Sequence, residues 1–507
     1  MPLHTGRSLI WVSLESGGLS ILSLIVLFVI ARILGPSDLG MAALAIGVVQ
    51  MLAMLVDTLL HDAIVQRPDL HDEHLQTAFW TCLGLGCVCS VAVWIFAPAL
   101  GRLFESPGLP PLLAVAGLSL VFSGAGSVVV AILRRQFAFK ELALRTLYGR
   151  LGGAVAAIVL ALCGYGVWAL IAQFLVQAAV NAILAWRATP WRPAFVFSRP
   201  RLAELLRFGM LSLGSRLAAL STARLFTVLV GYFLGVTAVG YVSIAQRLVD
   251  TLYDVLSGAA YNLALPIFSR RQIDRAALLR TYSRAIDLAA LAVEPIFAGV
   301  AICAPGIVAV FLGKAWSPAV PLVQVIAAGA MVQFLLLFGE VTVNAAGHPR
   351  YVFVYAAASL GFVLGAFLLF PPTDIFHAGL IWGMRAVVAA PLLLASMHYL
   401  LGPKATVNLL RASLAPLVGI AAMTGVIAVA NAHVLGGSPP LYALLVQIPL
   451  GAAIYGATVA LTNRCSLEQF FSLVASGIGR AKIQNPPPPM GQLVPERTEM
   501  QSGATLP

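Results

Sequence analysis

The chain has 507 residues, 60% of them hydrophobic and only 10% charged, with a formal net charge of +11; its mean hydropathy is +0.93. Such a composition excludes a soluble multidomain protein, because too little polar surface exists to cover several water-exposed domains. The basic balance does not indicate a nucleic-acid partner, since the lysines and arginines alternate from loop to loop instead of gathering in one patch.

The apolar runs predict an all-α polytopic membrane protein with about fourteen spans, each near the ~20 residues that cross a hydrocarbon core. Their limits are 9–30, 40–60, 78–99, 110–132, 143–163, 165–187, 208–234, 239–265, 286–311, 319–341, 351–371, 375–400, 412–434 and 440–462. The first run ends in Arg32 and Gly35-Pro36 rather than a small-residue cleavage site, so it is expected to be retained. It carries Glu15 followed by Ser16-Gly17-Gly18, which loosens a helix beside a charge. Span two offers Gln50, Asp57 and His61 at helical spacing. In span three, Cys87 and Cys89 read as small packing residues, and all six cysteines as free thiols. The run Arg134 to Lys140 interleaves basic and aromatic residues and reads as an interfacial helix between spans four and five. Span six places Gln173, Gln177 and Asn181 at i, i+4 and i+8, suited to sugar hydroxyls or to interhelical hydrogen bonds.

Residues 189–207, with Pro190, Pro193, Pro200 and several arginines, read as a surface-lying cytoplasmic linker. Span seven then carries Arg216 and Arg224 about 80° apart around the helix, with no carboxylate in the same span. Two such guanidiniums suit an anion, a diphosphate above all, or partners on other helices such as Glu15, Asp57, Glu294 or Glu340. Span eight aligns Ser243, Arg247, Asp250, Asp254, Ser257 and Tyr261 in one polar stripe that would line water or substrate. Arg247 and Asp250 can also pair one turn apart. Glu294 precedes Pro295, a plausible hinge or ion site, and Arg385 is a lone charge in span twelve. The polar, Pro-rich tail beyond residue 464 is expected to be disordered.

Of the 31 lysines and arginines, 24 fall on one set of alternating segments, three (Arg32, Arg102, Lys314) on the opposite set, and four (Arg216, Arg224, Arg247, Arg385) inside spans. Positive segments stay inside, so both termini are expected in the cytoplasm. The turns after spans one and seven also match. Leu34, Gly35, Gly40 and Ala45 recur as Leu234, Gly235, Gly240 and Ala245 at an offset of 200 residues. Six spans per unit is even, so the two units enter the membrane from the same side and are related by a parallel pseudo-twofold. The expected organisation is a six-helix lobe over 1–188, the linker 189–207, a second six-helix lobe over 208–401, two accessory helices over 402–463 and a cytoplasmic tail over 464–507. No outward-facing loop exceeds roughly a dozen residues, which leaves no room for the external catalytic loop of a glycan polymerase or ligase. Gly313-Lys314 lacks the spacing of a nucleotide-binding loop, and no cofactor or metal pattern is legible.

The chain resembles the polysaccharide flippases of the multidrug, oligosaccharidyl-lipid and polysaccharide exporter superfamily. The resembling stretches are Ala31 to Gly40, Ile64 to Arg67 with His74 to Trp80, Arg135 to Lys140, Gly164 to Leu170, and Leu234 to Tyr241. Beyond about residue 300 only hydropathy and span count agree, and Tyr232 and Phe233 stand where relatives often carry a more polar span. The resemblance implies two lobes around a V-shaped cavity with alternating access in a bacterial inner membrane. Its implied substrate is an undecaprenyl-diphosphate-linked oligosaccharide, moved without covalent chemistry, with polymerase or chain-length proteins as partners. It does not supply site residues. From their positions, Arg216, Arg224, Arg247 and Arg385 are expected to bind the diphosphate, Glu15, Asp57, Asp250, Asp254, Glu294 and Glu340 to serve as polar or ion-coupling groups, and Gln173, Gln177 and Asn181 to touch sugar. A cation-coupled drug antiporter of the same superfamily is the alternative; a membrane enzyme of glycan assembly fits less well.

Overall fold

A computed structural model describes Leu24, residues 26–67 and residues 69–462; for residues 208–221 it describes the backbone alone. Glu15, the side chains of Ser212 and Arg216, and the tail from residue 463 lie outside the described residues. Those that are described form helices and connections, with no strand among them. Eleven of the helices are long and apolar enough to cross a membrane. This is a multi-pass membrane protein.

The end of a helix, α1, occupies residues 26–33. It is followed by α2 (Pro36–Thr58), α3 (His61–Gln66), α4 (Asp72–Leu103), α5 (Leu109–Gly117), α6 (Ser119–Arg135), α7 (Phe139–Leu162) and α8 (Trp168–Arg187). Then come α9 (Arg199–Leu234), α10 (Val236–Ser269), α11 (Arg275–Ile307), α12 (Val320–Ala345), α13 (Pro349–Leu369), α14 (Ile375–Leu401), α15 (Pro403–His433) and α16 (Pro440–Thr462). Every span expected from the second to the fourteenth falls on helix, with α5 and α6 sharing the fourth. Proline in the first turn opens α2, α9, α13 and α15, where its fixed φ suits the helix and its missing donor costs nothing.

Two connections differ from their sequence reading. The expected linker is irregular only over 189–198, because Pro200 lies in the first turn of α9 and starts the helix there. The Arg134–Lys140 run is a tight turn, not an interfacial helix: Phe137 takes φ +55°, and Arg135 turns back to donate to the carbonyls of Ile64, Val65 and Arg67 at the end of α3. The irregular segment is fastened to α4. Gln76 accepts from the Ala194 amide, Thr77 accepts from the Ser198 amide, and the Trp80 indole donates to the Ala194 carbonyl. Below it, Glu204 on α9 pairs with Arg67 and accepts from His74 Nε2. His74 Nδ1 accepts from its own helix-capping amide, His71 N–H, on a ring with no exposed surface.

The two halves meet where α2 crosses α10. Gly40 and Gly240 face each other there so closely that a Cβ on Gly40 would overlap the Val236 carbonyl oxygen, and one on Gly240 would overlap that of Pro36. The contact is reciprocal, residue 40 to 236 and residue 240 to 36, as an isologous interface requires. Ala45 and Ala245, which match at the same offset, are both fully buried. Gly35 and Gly235 are not conformational equivalents, since only Gly235 takes positive φ, +81°. Around the crossing the Trp316 indole donates to the Ala31 carbonyl, Arg32 donates to Val310, and Phe28 stacks on Phe311. Helix pairing recurs on both sides of it. In the first half α4 packs on α6, α6 on α8 and α7 on α8; in the second α11 packs on α12, α12 on α14 and α13 on α14. Helices α15 and α16 pair with each other and lie against α11.

Gly240→Ala is expected to force α2 and α10 apart and destabilise the protein by ~1–3 kcal/mol, the usual cost of overpacking. Gly361→Ala, where nothing lies within 4 Å of the added carbon, is the neutral control, and thermal melting in detergent compares them. A second expectation concerns Glu204, whose carboxyl the His74 ring and Arg67 hold below the usual carboxylate range. A depressed pKa contributes stability above the unfolded value and loses it as pH falls through the folded one. Protease attack on residues 189–198 should therefore rise as the medium is acidified below about pH 4, and Glu204→Gln should show that raised attack already at neutral pH.

Candidate functional site

The polar stripe of α10 faces an internal space. Arg247 and Asp254 are exposed, whereas Ile244, Ala245, Gln246, Leu248 and Val249 on either side of Arg247 are buried, on a helix packed against α2 and α12. Arg247 is exposed by area yet enclosed by protein, the mark of a side chain lining an accessible cavity rather than lipid. Arg224 on α9 joins it, within Coulombic reach of Arg247 and Asp250. Arg385 on α14 reaches Asp250 from a third helix.

These arginines are held in different ways. Arg385 donates to Gln333 Oε1 at 2.7 Å and to the Trp382 carbonyl, and its guanidinium carbon lies 3.6 Å from the centre of the Trp382 ring. Trp382 in turn packs on Phe226 of α9. Glu340, two turns from Gln333 on α12, lies beside Tyr253 and Tyr355. By contrast, Arg224 and Arg247 have no hydrogen-bond partner and no carboxylate oxygen within 4.0 Å among the described residues. The i,i+3 pairing open to Arg247 and Asp250 is thus not made, and their charges remain available.

A fourth guanidinium comes from the first half. Arg150 on α7 lies within Coulombic reach of Arg247 and Asp254. By sequence it counts among the charges that orient the protein, because it sits near the basic end of a span. The residue is eleven positions into α7, however, about 16 Å along the helix axis. Its place inside the predicted span 143–163 is the signal that identifies it. Tyr253, Gln333, Tyr355 and Trp382 are further members that sequence reading misses, being ordinary residues of apolar helices until the fold assembles them.

The remaining nominated residues divide. Asp57, Gln177 and Asn181 line a separate cavity of about 430 Å³ between α2, α6, α7 and α8. Asp57 accepts from Ser123 Oγ at 2.6 Å and lies beside Arg145. Gln173 is instead packed on Gly153 at the α7–α8 contact. Glu294 is also elsewhere: 3% exposed, it faces Ser413 of α15 and Tyr455 of α16, away from the arginines. Both halves mix basic and acidic groups. Arg145 accompanies Asp57, and Asp250, Asp254 and Glu340 accompany the second-half arginines.

Residues 29–321 match the family described as polysaccharide biosynthesis protein, and the chain belongs to it. It is 28% identical over 321 residues to the succinoglycan biosynthesis transport protein ExoT of Rhizobium meliloti (strain 1021), covering 63% of this chain and 65% of that one. It is 23% identical to the lipopolysaccharide biosynthesis protein WzxC of Escherichia coli (strain K12), covering 60% and 62%. The match thus spans just under two thirds of these relatives' length. Among solved structures, the lipid II flippase MurJ in an inward closed conformation superposes with a TM-score of 0.75 at 14% identity, covering 90% of this chain and 99% of that one. An inward-facing transporter of the multidrug resistance MATE family gives 0.57 at 18% identity, covering 79% and 98%. These likenesses show a shared fold.

The two modes of holding arginine make a prediction. Arg385→Ala strips a charged hydrogen bond from Gln333 and should cost ~1.5–3 kcal/mol of stability. Arg247→Ala and Arg224→Ala, which break no hydrogen bond among the described residues, should leave the melting temperature unchanged but remove any protection that inorganic diphosphate gives the unaltered protein.

Proposed function

We propose that the protein flips an undecaprenyl-diphosphate-linked oligosaccharide across a bacterial inner membrane, for exopolysaccharide or lipopolysaccharide assembly. The observation that carries the reading is the meeting of Arg150, Arg224, Arg247 and Arg385, from four helices of both halves, around one accessible space. Charges at this depth are costly to bury and are held in place where an ion or substrate passes. Family membership and the transport and biosynthesis roles in the relatives' names support it.

In this reading residues 1–188 and 208–401 are two six-helix lobes in parallel repeat, with fourteen spans in all. Residues 189–207 join the lobes, residues 402–463 are accessory helices, and residues 464–507 form a cytoplasmic tail. The reciprocal Gly40–Gly240 contact and the recurring helix pairs support the repeat. The distribution of basic residues supports cytoplasmic termini, which puts the Gly40–Gly240 crossing toward the outside and opens the arginine space inward. The guanidiniums take the diphosphate by paired N–H···O bonds and stay charged at any physiological pH. Arg216, two turns before Arg224, adds a further candidate. The lipid tail remains in the bilayer, and parting of α2 from α10 turns the bound head outward. No bond is made or broken, so none of these residues has a catalytic role. Polymerase and chain-length proteins would receive the product.

Asp250, Asp254 and Glu340, standing among the arginines, favour a second element: a cation carried as the counter-charge. Asp57 is a similar group in the first half, and Glu294 a more remote one. A cation-coupled antiporter would rest on these carboxylates alone.

Cells lacking the protein should accumulate the completed repeat unit facing the cytoplasm; a build-up of unpolymerised units already outside would overturn the reading. Arg224→Ala should abolish complementation at normal membrane levels. Unchanged polymer after simultaneous alanine replacement of Arg216, Arg224 and Arg247 would remove the anion site.

A further inference from the structure

The cavity between α2, α6, α7 and α8 has a chemistry of its own. Its volume, about 430 Å³, lies within the range of small-ligand pockets. Phe122 and Phe174 supply aromatic faces, amides and hydroxyls supply uncharged polar groups, and small apolar residues, His61 and the charged groups complete the wall. Two of those buried polar atoms, Gln50 Oε1 and Asn181 Oδ1, have no hydrogen-bond partner among the described residues. An alkyl chain placed there would leave both unpaired in an apolar contact. The formal charges of Asp57 and Arg145 offset each other, and Arg134 adds a positive group at the wall. A free cation would meet both guanidiniums, whereas a neutral polyol meets donors, acceptors and aromatic rings together.

Helix α7 ties this cavity to the arginine space. It presents Arg145 to the cavity and Arg150 toward Arg247 and Asp254, five residues apart and thus about 7.5 Å along the axis. That separation is short enough for a saccharide attached to a diphosphate at the arginines to reach the cavity.

The geometry points to a saccharide subsite: the first-half cavity binds a neutral hexose, the sugar attached directly to the diphosphate, through Gln50, Gln177, Asn181 and the faces of Phe122 and Phe174. It rests on the flippase reading and adds to it a place where the glycan is recognised. In this scheme the arginines hold the part common to all lipid diphosphates, and the cavity tests which sugar follows.

The test measures binding of undecaprenyl diphosphate, and of its monoglucosyl and monogalactosyl derivatives, to the full-length protein in nanodiscs. The unaltered protein should bind at least one glycosyl derivative more tightly than the bare diphosphate. The Gln50→Ala/Gln177→Ala double variant should lose roughly five- to tenfold in affinity for that derivative, the worth of one or two hydrogen bonds, and keep its affinity for the bare diphosphate. Retained diphosphate binding shows that the variant is folded, and Phe122→Leu provides a second, non-polar perturbation with the same expected signature. The subsite is overturned if glycosyl and bare diphosphates bind the unaltered protein equally, if the variants leave both affinities unchanged, or if they weaken both alike. Failure of the unaltered protein to bind any of the three lipids would instead overturn the flippase reading, and the subsite with it.

Discussion

The backbone contact between α2 and α10 at Gly40 and Gly240 is the constraint on which the rest of the molecule depends. A contact so close can be made only where both helices lack a Cβ, since any side chain would land on the opposing carbonyl. In a membrane no hydrophobic force pulls helices together, because lipid is as apolar as leucine, so close approach and packing have to supply the attraction. Its reciprocity also sets the positions of the neighbouring helices. Once α2 and α10 cross about this point, α9 lies beside both of them, and the Ala31–Trp316 and Arg32–Val310 contacts complete the same end of the bundle.

With that end joined, the charged residues further along α10 face an open interior. The same helix is therefore a packing element at its start and a cavity wall after Arg247. This division accompanies the difference between Arg224 and Arg247, which have no hydrogen-bond partner among the described residues, and Arg385, which is stacked on Trp382 and hydrogen-bonded to Gln333. Guanidiniums in contact with lipid would be expelled; near the carboxylates of Asp250 and Asp254 they are tolerated. The fastening of residues 189–198 onto α4 adds a second, purely structural link between the first-half helices and α9, made by Gln76, Thr77 and Trp80.

Much of this was legible in one dimension. Span positions follow from hydropathy because each backbone polar group in lipid has to be satisfied within its own helix, so an apolar run of sufficient length has one outcome. The stripe from Ser243 to Tyr261 was legible for the same reason, since helical period alone decides which residues share a face. The nearness of Arg150 to Arg247 and Asp254 was not legible, because a residue's neighbours depend on where other helices hold its own. Glu294 was nominated beside the arginines because proline and carboxylate read alike in any helix; its actual surroundings, Ser413 and Tyr455, come from helices more than a hundred residues away in sequence. Arg145 and Asp57 likewise meet only through the packing of α7 and α2 around α6.

The sequence by itself determined the membrane character, the helix register, the polar faces and the recurrence of Gly40 as Gly240, all of which rest on local rules of length, period and steric size. Only the tertiary structure decided which polar faces meet, that Gly40 and Gly240 are each other's partners, and that α7 runs from a polar cavity in the first half to the arginines. The physical reason is that charge and hydrogen-bonding capacity belong to single residues, whereas their partners, and the space left between them, are set by helices brought together from distant parts of the chain.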